Sequence, residues 1–131
     1  MPAYDHMQFE PPAPIAKVTL RHNQSGKTRS DVRMLIDSGA DVTLLPENCV
    51  RQLGIDLDST AKYELMAFDG SITYASAVYV DLLFLHKTFK GRFLLTNQAY
   101  GILGRDILNH LSLLLDGPRD NWEEVKGGHL S

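Results

Sequence analysis

An aspartate interrupts a strand-like segment, and this interruption constrains the fold and the chemistry more than any other feature of the sequence. The largely apolar run Val32–Ile36 predicts a buried strand, and it stops at the polar and small tetrapeptide Asp37-Ser38-Gly39-Ala40. A carboxylate is costly to remove from water, so an Asp on a tight turn after a buried strand is either hydrogen-bonded structurally or used chemically. The residues of this segment leave both interpretations open.

Other motifs that begin with Asp fit poorly. A calcium-binding loop needs Gly where Val42 stands and Glu where Asn48 stands. A motif for a phosphorylated aspartate needs a second Asp where Gly39 stands. No His or Cys pair has the spacing of zinc ligands, so we expect no metal and no cofactor.

Most of the chain predicts β structure, because apolar and polar residues alternate in several runs bounded by turn signals. The dipeptide Asp69-Gly70 tolerates positive φ angles and predicts a tight hairpin turn. Pro46 suits the first position of a short helix and Gly54 its end. In chain order, the predicted elements are strand 17–21, turn 23–27, strand 32–36, helix 46–53, hairpin arms 62–67 and 72–74, strand 78–85, turn 86–91, strand 92–96, helix 105–111 and strand 113–115.

The length of 131 residues and the ordinary globular composition predict one folded domain. Residues 1–14 contain four of the six prolines, and residues 117–131 are polar. We therefore expect a flexible Pro-rich N-terminal arm and a polar C-terminal tail, both outside the core, around a domain that spans residues 15–116.

Charge and hydropathy exclude several classes of partner. The formal net charge is −3 and the basic residues are scattered, so the sequence predicts no binding of nucleic acid. The most apolar stretch, Ala77–Leu85, is too short to span a membrane, and the first residues do not resemble a signal peptide. The single Cys49 cannot form an internal disulfide, and we expect a reducing, cytoplasmic compartment.

Two further segments turn the aspartate motif into a specific pattern. Ile102-Leu103-Gly104-Arg105-Asp106 lies downstream of Leu35–Asp41, and Phe68-Asp69-Gly70-Ser71 lies between the two. With these three segments, roughly Val18 to Asp116 resembles the retropepsin-like aspartic proteases. The longer helix-like stretch 46–53 is more similar to that of the cellular and bacterial members than to retroviral enzymes.

The resemblance implies a mainly β, closed, barrel-like fold with a flap hairpin and one or two short helices. It also implies catalysis by two carboxylates that share one proton and activate a water between them. The sequence contains only one such motif, so the second Asp37 has to come from a second copy of the chain, and the active site lies on the two-fold axis of a homodimer.

Roles for other residues also follow from the resemblance. Ser38 would lock the two catalytic turns together, Gly39 would let the backbone approach substrate, and Ala40 offers the carboxylates no hydroxyl, so we expect a weakly acidic optimum. An ion pair between Asp41 and Arg105 would support the site. The expected catalytic residues are Asp37, Ser38 and Gly39; the substrate-binding residues are Ala40, Asp41, Phe68, Asp69, Gly70, Ser71 and Ile102; and the structural supports are Thr43, Arg105 and Asp106, with Asp106 reaching the Thr43 region.

The sequence therefore predicts a homodimeric aspartic endopeptidase that cleaves peptides or proteins between largely apolar side chains. Tyr100 and Gly101 are expected to line its pocket. An alternative from another class is a peptide-binding or dimerisation module of the same fold with little or no turnover. A third possibility, a precursor that requires removal of one of its ends, differs only in regulation.

Overall fold

The computed structural model describes residues 2–55, 57, 62–66 and 69–126, with the backbone alone at 62–66 and 73–75. The helices and strands are β1 (Tyr4–Asp5), β2 (Ala13–Arg21), β3 (Thr28–Ile36), β4 (Leu44–Pro46), α1 (Glu47–Arg51), β5 (Lys62–Met66), β6 (Ile72–Phe84), β7 (Lys87–Thr96), β8 (Gly101–Leu103), α2 (Arg105–Leu108), β9 (Leu113–Asp116) and β10 (Asn121–Glu124). Among the described residues, no helix is long and apolar enough to cross a membrane.

Six of the strands close into a barrel. The hydrogen-bonded order β2-β3-β8-β4-β7-β6 returns to its start because β6 also pairs with β2. Strand β2 shows why the barrel has an apolar interior: Ala16, Val18 and Leu20 alternate with more exposed residues and are buried. The mainly β, closed-barrel fold with two short helices is thus confirmed.

The long hairpin formed by β6 and β7 turns earlier than its sequence predicts. The predicted turn at residues 86–91 is wrong, because the chain reverses at Leu85 and His86 and residues 87–91 already belong to β7. Leu85 and His86 have φ angles of 52° and 65°, which suit a two-residue hairpin turn and match the twist of the strands. Neither residue is a usual turn former, so the sequence carries no clear signal for this turn.

The two helices lie where the sequence predicts them but are shorter. Pro46 is the extended last residue of β4, with φ −64° and ψ 126°, and the helix α1 begins at Glu47. Gly54 follows with a φ of 82°, which ends this segment in the left-handed region that glycine tolerates. The second helix, α2, ends at Leu108 instead of residue 111.

Both chain ends are held by strand pairing in their described parts. None of residues 2–14 is buried, whereas the C-terminal segment contributes Trp122 to the core, contrary to the expectation for residues 117–131. Strand β1 pairs with β2, and β10 pairs with β9. Trp122 is 2% exposed, contacts the ring of Phe84, and donates its indole N–H to the carbonyl oxygen of Ile15 at 2.9 Å. One large aromatic residue thus anchors an otherwise polar tail.

We predict that this anchor stabilises the whole protein. Trp122→Ala should lower the free energy of unfolding by about 3–5 kcal/mol, because it empties a buried aromatic site. Trp122→Phe should cost about 1–3 kcal/mol, since the Ile15 carbonyl loses its donor. Urea unfolding measures both values, and the exposed Tyr79→Ala serves as the control, with an expected cost below about 1 kcal/mol. Equal costs for Trp122→Ala and Tyr79→Ala would contradict the anchoring role.

Candidate active site

Parallel pairing of β3 with β8 brings together the two sequence motifs. Leu35 is opposite Ile102, and Ile36 is opposite Leu103. Because parallel strands end at the same edge of a sheet, Asp37 and the residues after Leu103 leave the barrel side by side. The N–H of Asp37 donates to the Leu103 carbonyl oxygen at 3.1 Å, which extends the strand pairing to the aspartate itself.

The turn holds the Asp37 carboxylate by one of its oxygens. Oδ1 accepts the N–H of Gly39 at 2.9 Å, and the Asp37 carbonyl oxygen accepts the N–H of Ala40 at 3.2 Å. Oδ2 has no hydrogen bond to any described residue. Asp37 is half-buried, whereas Ser38 and Gly39 are exposed. The carboxylate is thus oriented by its turn, with one oxygen left for another partner.

Arg105 clamps the turn from behind through its backbone and its side chain. Its N–H donates to the Ala40 carbonyl oxygen at 2.9 Å, and its Nη1 donates to the Ser38 carbonyl oxygen at 2.8 Å. Its Nη2 forms the expected ion pair with Asp41. Both charged side chains are well exposed, so this ion pair contributes little by itself, and the two bonds to backbone carbonyls fix the turn.

Thr43 lies at the centre of a second set of supporting contacts. Its side chain is 1% exposed, and its hydroxyl donates to Asp106 Oδ1 at 2.6 Å and accepts the N–H of Gly104 at 3.1 Å. The other Asp106 oxygen accepts the Thr43 N–H at 3.1 Å. The structure thus makes the expected contact between Asp106 and Thr43. The bond from Gly104 was not predicted, and its only sequence signal is a polar Thr between the apolar Val42 and Leu44.

Gly104 allows the second motif to lie directly on the first. A Cβ at this position would lie 2.5 Å from the Val42 carbonyl carbon, 2.6 Å from its oxygen and 3.0 Å from the Ala40 carbonyl oxygen. These neighbours are backbone atoms, which cannot move aside as a side chain does. Only glycine permits this close approach.

The expected substrate-binding hairpin is present, with part of its tip outside the described residues. Strands β5 and β6 pair from Lys62 opposite Ser76 to Met66 opposite Ile72. Gly70 has a φ of 83° at the tip, as its turn signal predicts, and Phe68 lies outside the described residues.

The hairpin tip has its own internal hydrogen bond. Asp69 Oδ1 accepts the N–H of Ser71 at 2.9 Å, and the hydroxyl and N–H of Ser71 lower the pKa of the Asp69 carboxyl below its usual value. In the described part of the chain, Asp69, Gly70 and Ser71 have no hydrogen bond or ion pair with the turn at Asp37. Within one chain, the described part of the hairpin tip is therefore not linked to the Asp37 turn by a hydrogen bond or an ion pair.

The remaining expected site residues border the Asp37 turn. Ala40 is half-buried, and Ile102 is a half-buried residue of β8 that lies opposite both Leu35 and Leu44. Side chains that could hold a metal do not gather in the described residues, which contain no group of three or more His, Cys, Asp or Glu with suitable geometry. The arrangement is therefore a lone oriented carboxylate on a firmly supported turn.

We predict that the Thr43 hydroxyl maintains this support. Thr43→Val should lower the free energy of unfolding by about 1–3 kcal/mol, because the Gly104 N–H and an Asp106 oxygen lose their partner in a buried site. Thr43→Ser retains the hydroxyl and is the matched control. Urea unfolding compares the two variants, and a Thr43→Ser protein as unstable as Thr43→Val would contradict the hydrogen-bonding role.

Comparison with known proteins agrees with this architecture. Residues 26–110 match the family described as "gag-polyprotein putative aspartyl protease", and this range contains both motifs. EIAV protease, in a complex with the inhibitor HBY-793, has a similar fold: the TM-score is 0.55, the identity 21%, and the match covers 81% of this chain and 91% of that one. No curated protein matches the sequence. Since the family match spans well over half of the chain, the protein belongs to the gag-polyprotein aspartyl protease family.

Proposed function

We propose that the protein is an aspartic endopeptidase whose active site combines Asp37 from each of two identical subunits. The observation that carries this proposal is the Asp37 carboxylate, which is half-buried, oriented through Oδ1 by its own turn, and left with Oδ2 unbonded in the described part of the chain. The free Oδ2 is available to a second partner, whereas both oxygens of the nearby Asp106 are already bonded within the chain.

A second carboxylate is needed because amide hydrolysis by this route requires a base and an acid together. The neighbouring acidic residues are already engaged, since Asp41 pairs with Arg105 and Asp106 bonds to Thr43. A second copy of Asp37 across a two-fold axis provides an equivalent group. Two carboxylates about 3 Å apart cannot both be ionised, so the pair would hold one proton, with one member as base and the other as acid.

The proposed reaction moves protons only between this pair, a water and the peptide. The ionised Asp37 takes a proton from water as the oxygen attacks the peptide carbonyl carbon, and the protonated Asp37 gives its proton to the carbonyl oxygen. A tetrahedral diol results. Its C–N bond then breaks as the nitrogen receives a proton from one carboxyl group, and the other carboxylate takes a proton from a hydroxyl, which regenerates the pair.

The exposed part of the catalytic turn supports a dimer. Ser38 is exposed, and its hydroxyl has no hydrogen bond among the described residues. In a dimer built around the two Asp37 residues, the two Ser38 hydroxyls would face the partner turn and bond across the axis. Asp41 and Arg105 would support each turn from its own subunit.

Strand β9 offers a second surface for the same dimer. One of its edges pairs with β10, and in the described residues no strand pairs with its other edge. Its side chains Leu114 and Leu115 are each 49% exposed. An edge strand with exposed apolar side chains favours pairing with another strand, and the same strand of a second copy is the partner that two-fold symmetry provides.

Substrate recognition would use the hairpin and the apolar residues around the turn. The tip at Asp69, Gly70 and Ser71 would close over a bound peptide and exclude water, as a flap. Val42 and Ile72 are 40% and 50% exposed despite their apolar character, so they are available to contact apolar substrate side chains. We also propose a cytoplasmic location, which the free Cys49 supports.

The central prediction is that Asp37→Asn abolishes cleavage without loss of the fold. Denatured protein is incubated with the wild-type chain or the variant at several pH values between about 4 and 7, so that the pH of greatest activity can be located. Asp31→Asn, a carboxylate-to-amide change on the same strand, is the matched control and should cleave normally. Circular dichroism and light scattering check the fold and the mass.

Two results would contradict the proposal. Cleavage that survives in Asp37→Asn would exclude the role of this residue. A folded wild-type dimer without cleavage at any pH would instead favour a peptide-binding module.

A further prediction concerns the dimer surface. The double change Leu114→Glu and Leu115→Glu should weaken association at least about 100-fold, because like charges would meet across the strand pair and apolar burial would be lost. Sedimentation measures the association, and Tyr79→Glu, at an apolar residue that is also exposed on a strand, is the control. Cleavage should fall with the dimer fraction. An unchanged dimer would exclude β9 as the interface.

A further inference from the structure

One face of the β3–β8 pair leads along the outside of the barrel to Asp37. Met34 and Leu103 point into the core, so their alternating neighbours Leu35 and Ile102, which lie opposite each other, occupy the other face. Arg33 lies further from the aspartate on this face by the same alternation, and Tyr100 is the loop residue directly before Gly101, whose partner in β3 is Met34. We call these two rows the outer strip: Arg33, Leu35, Tyr100 and Ile102.

The N-terminal segment covers the end of the outer strip that is remote from Asp37. Arg33 forms an ion pair with Asp5, and its Nη1 donates to Gln8 Oε1 at 3.1 Å. The Phe9 ring packs edge-on against Tyr100, with ring centroids 4.9 Å apart and an angle of 65° between the planes. Both side chains of this row are thus contacted by residues 5–9.

The segment that carries Phe9 is itself well ordered by local contacts. Asp5 Oδ1 accepts the N–H groups of Met7 at 2.7 Å and Gln8 at 3.0 Å, which makes a tight turn. These two bonds, chiefly that from Gln8, together with Arg33, lower the pKa of the Asp5 carboxyl below its usual value. Strand β1 also fixes the segment to β2 through Tyr4 and Asp5. Phe9 is therefore presented to Tyr100 from a fixed position.

The distance from Asp37 to the row of Arg33 and Tyr100 can be compared with the length of an extended peptide. Arg33 and Asp37 are four strand residues apart, a distance of about 13 Å at 3.3 Å per residue. A peptide that runs along the outer strip has the same rise, so its side chains about three or four residues from the cleaved bond would reach the row of Arg33 and Tyr100. The groups available there are two aromatic rings, because Asp5 already pairs with the guanidinium of Arg33.

We propose that Phe9 is a positioning residue for substrate selection, which fixes the Tyr100 ring so that the site favours a large apolar side chain three or four residues from the cleaved bond. The inference rests on the proposed protease function. It assigns the N-terminal segment to the substrate groove of its own subunit. Tyr100 contacts the substrate, and Phe9 acts through Tyr100.

The test uses the full-length chain and peptides cut at one bond. The peptides differ only at the third and fourth positions from that bond, with Leu or Phe in one set and Ser in the other. Phe9→Ala should reduce the preference in kcat/KM for the apolar set about 2- to 10-fold, the size expected for loss of an aromatic pair. The change should lie in KM, and a short peptide without these positions should be cleaved as by the wild type.

Three further variants separate positioning from stability. Phe9→Tyr keeps the ring and should retain the wild-type preference. Met7→Ala, at a residue of the same segment that is 85% exposed, should leave it unchanged. In a Tyr100→Ala background, Phe9→Ala should have no additional effect, since its influence passes through that ring.

The outcomes for Phe9 and for the proposed function are distinguishable. An active wild type with the same preference in Phe9→Ala overturns the inference alone, as does an equal loss of kcat/KM for every peptide together with a lower melting temperature. If the wild type shows no Asp37-dependent cleavage, the proposed function fails, and pepstatin A affinity is the remaining readout. A 2- to 10-fold weaker affinity in Phe9→Ala than in Met7→Ala would still support the groove, whereas equal affinities or no binding would overturn it.

Discussion

The parallel register between β3 and β8 is the constraint on which the rest of the site depends. It places Leu35 and Ile36 opposite Ile102 and Leu103, so that Asp37 follows beside Gly104, although the two motifs are far apart in sequence. Since side chains alternate between faces, a slip by one residue would turn Ile102 into the barrel and Leu103 out of it. The Asp37 N–H bonded to Leu103 and the missing side chain of Gly104 both oppose such a slip. The register of β3 against β8 thus positions Asp37 through backbone pairing alone, and the side-chain contacts add to it.

Supporting contacts allow the carboxylate to remain partly free. Without these contacts, the backbone groups of the exposed turn at Asp37 would have only solvent as a hydrogen-bond partner. Here Arg105 satisfies the carbonyl oxygens of Ser38 and Ala40, and Thr43 satisfies the Gly104 N–H. Because these neighbours hold the backbone, Asp37 needs to contribute only Oδ1 to the turn. The contacts of Arg105 and Thr43 therefore both order the turn and leave Oδ2 of Asp37 available.

Local sequence patterns predict the barrel strands β2, β3, β6 and β7 and the turn at Gly70, and the family motifs predict the contacts of Arg105 with Asp41 and of Asp106 with Thr43. The three-residue strands β4 and β8 are too short to show a pattern and are not predicted. Local patterns also do not predict features set by distant contacts. Trp122 lies in a polar tail and shows no periodicity, yet its indole fits against Phe84 and the Ile15 carbonyl. The contact of Phe9 with Tyr100 joins a Pro-rich segment to a loop far along the chain, so neither partner signals the other. What the sequence misses is tertiary packing of the chain ends.

The folding back of both ends limits how two copies can associate. Strand β1 pairs with its own β2, and β10 pairs with its own β9, so one edge of each strand is already used within one chain. Two surfaces in the described part of the chain suit the proposed dimer: the exposed turn at Ser38 and the outer edge of β9, which is only four residues long. A stable interface usually buries more than about 1,200 Å² in total, more than one short strand pair can supply. Contacts around the catalytic turns then have to contribute, and a peptide bound between the two subunits adds to the same interface. Substrate and dimer formation would therefore favour each other, since each completes a surface that the other needs.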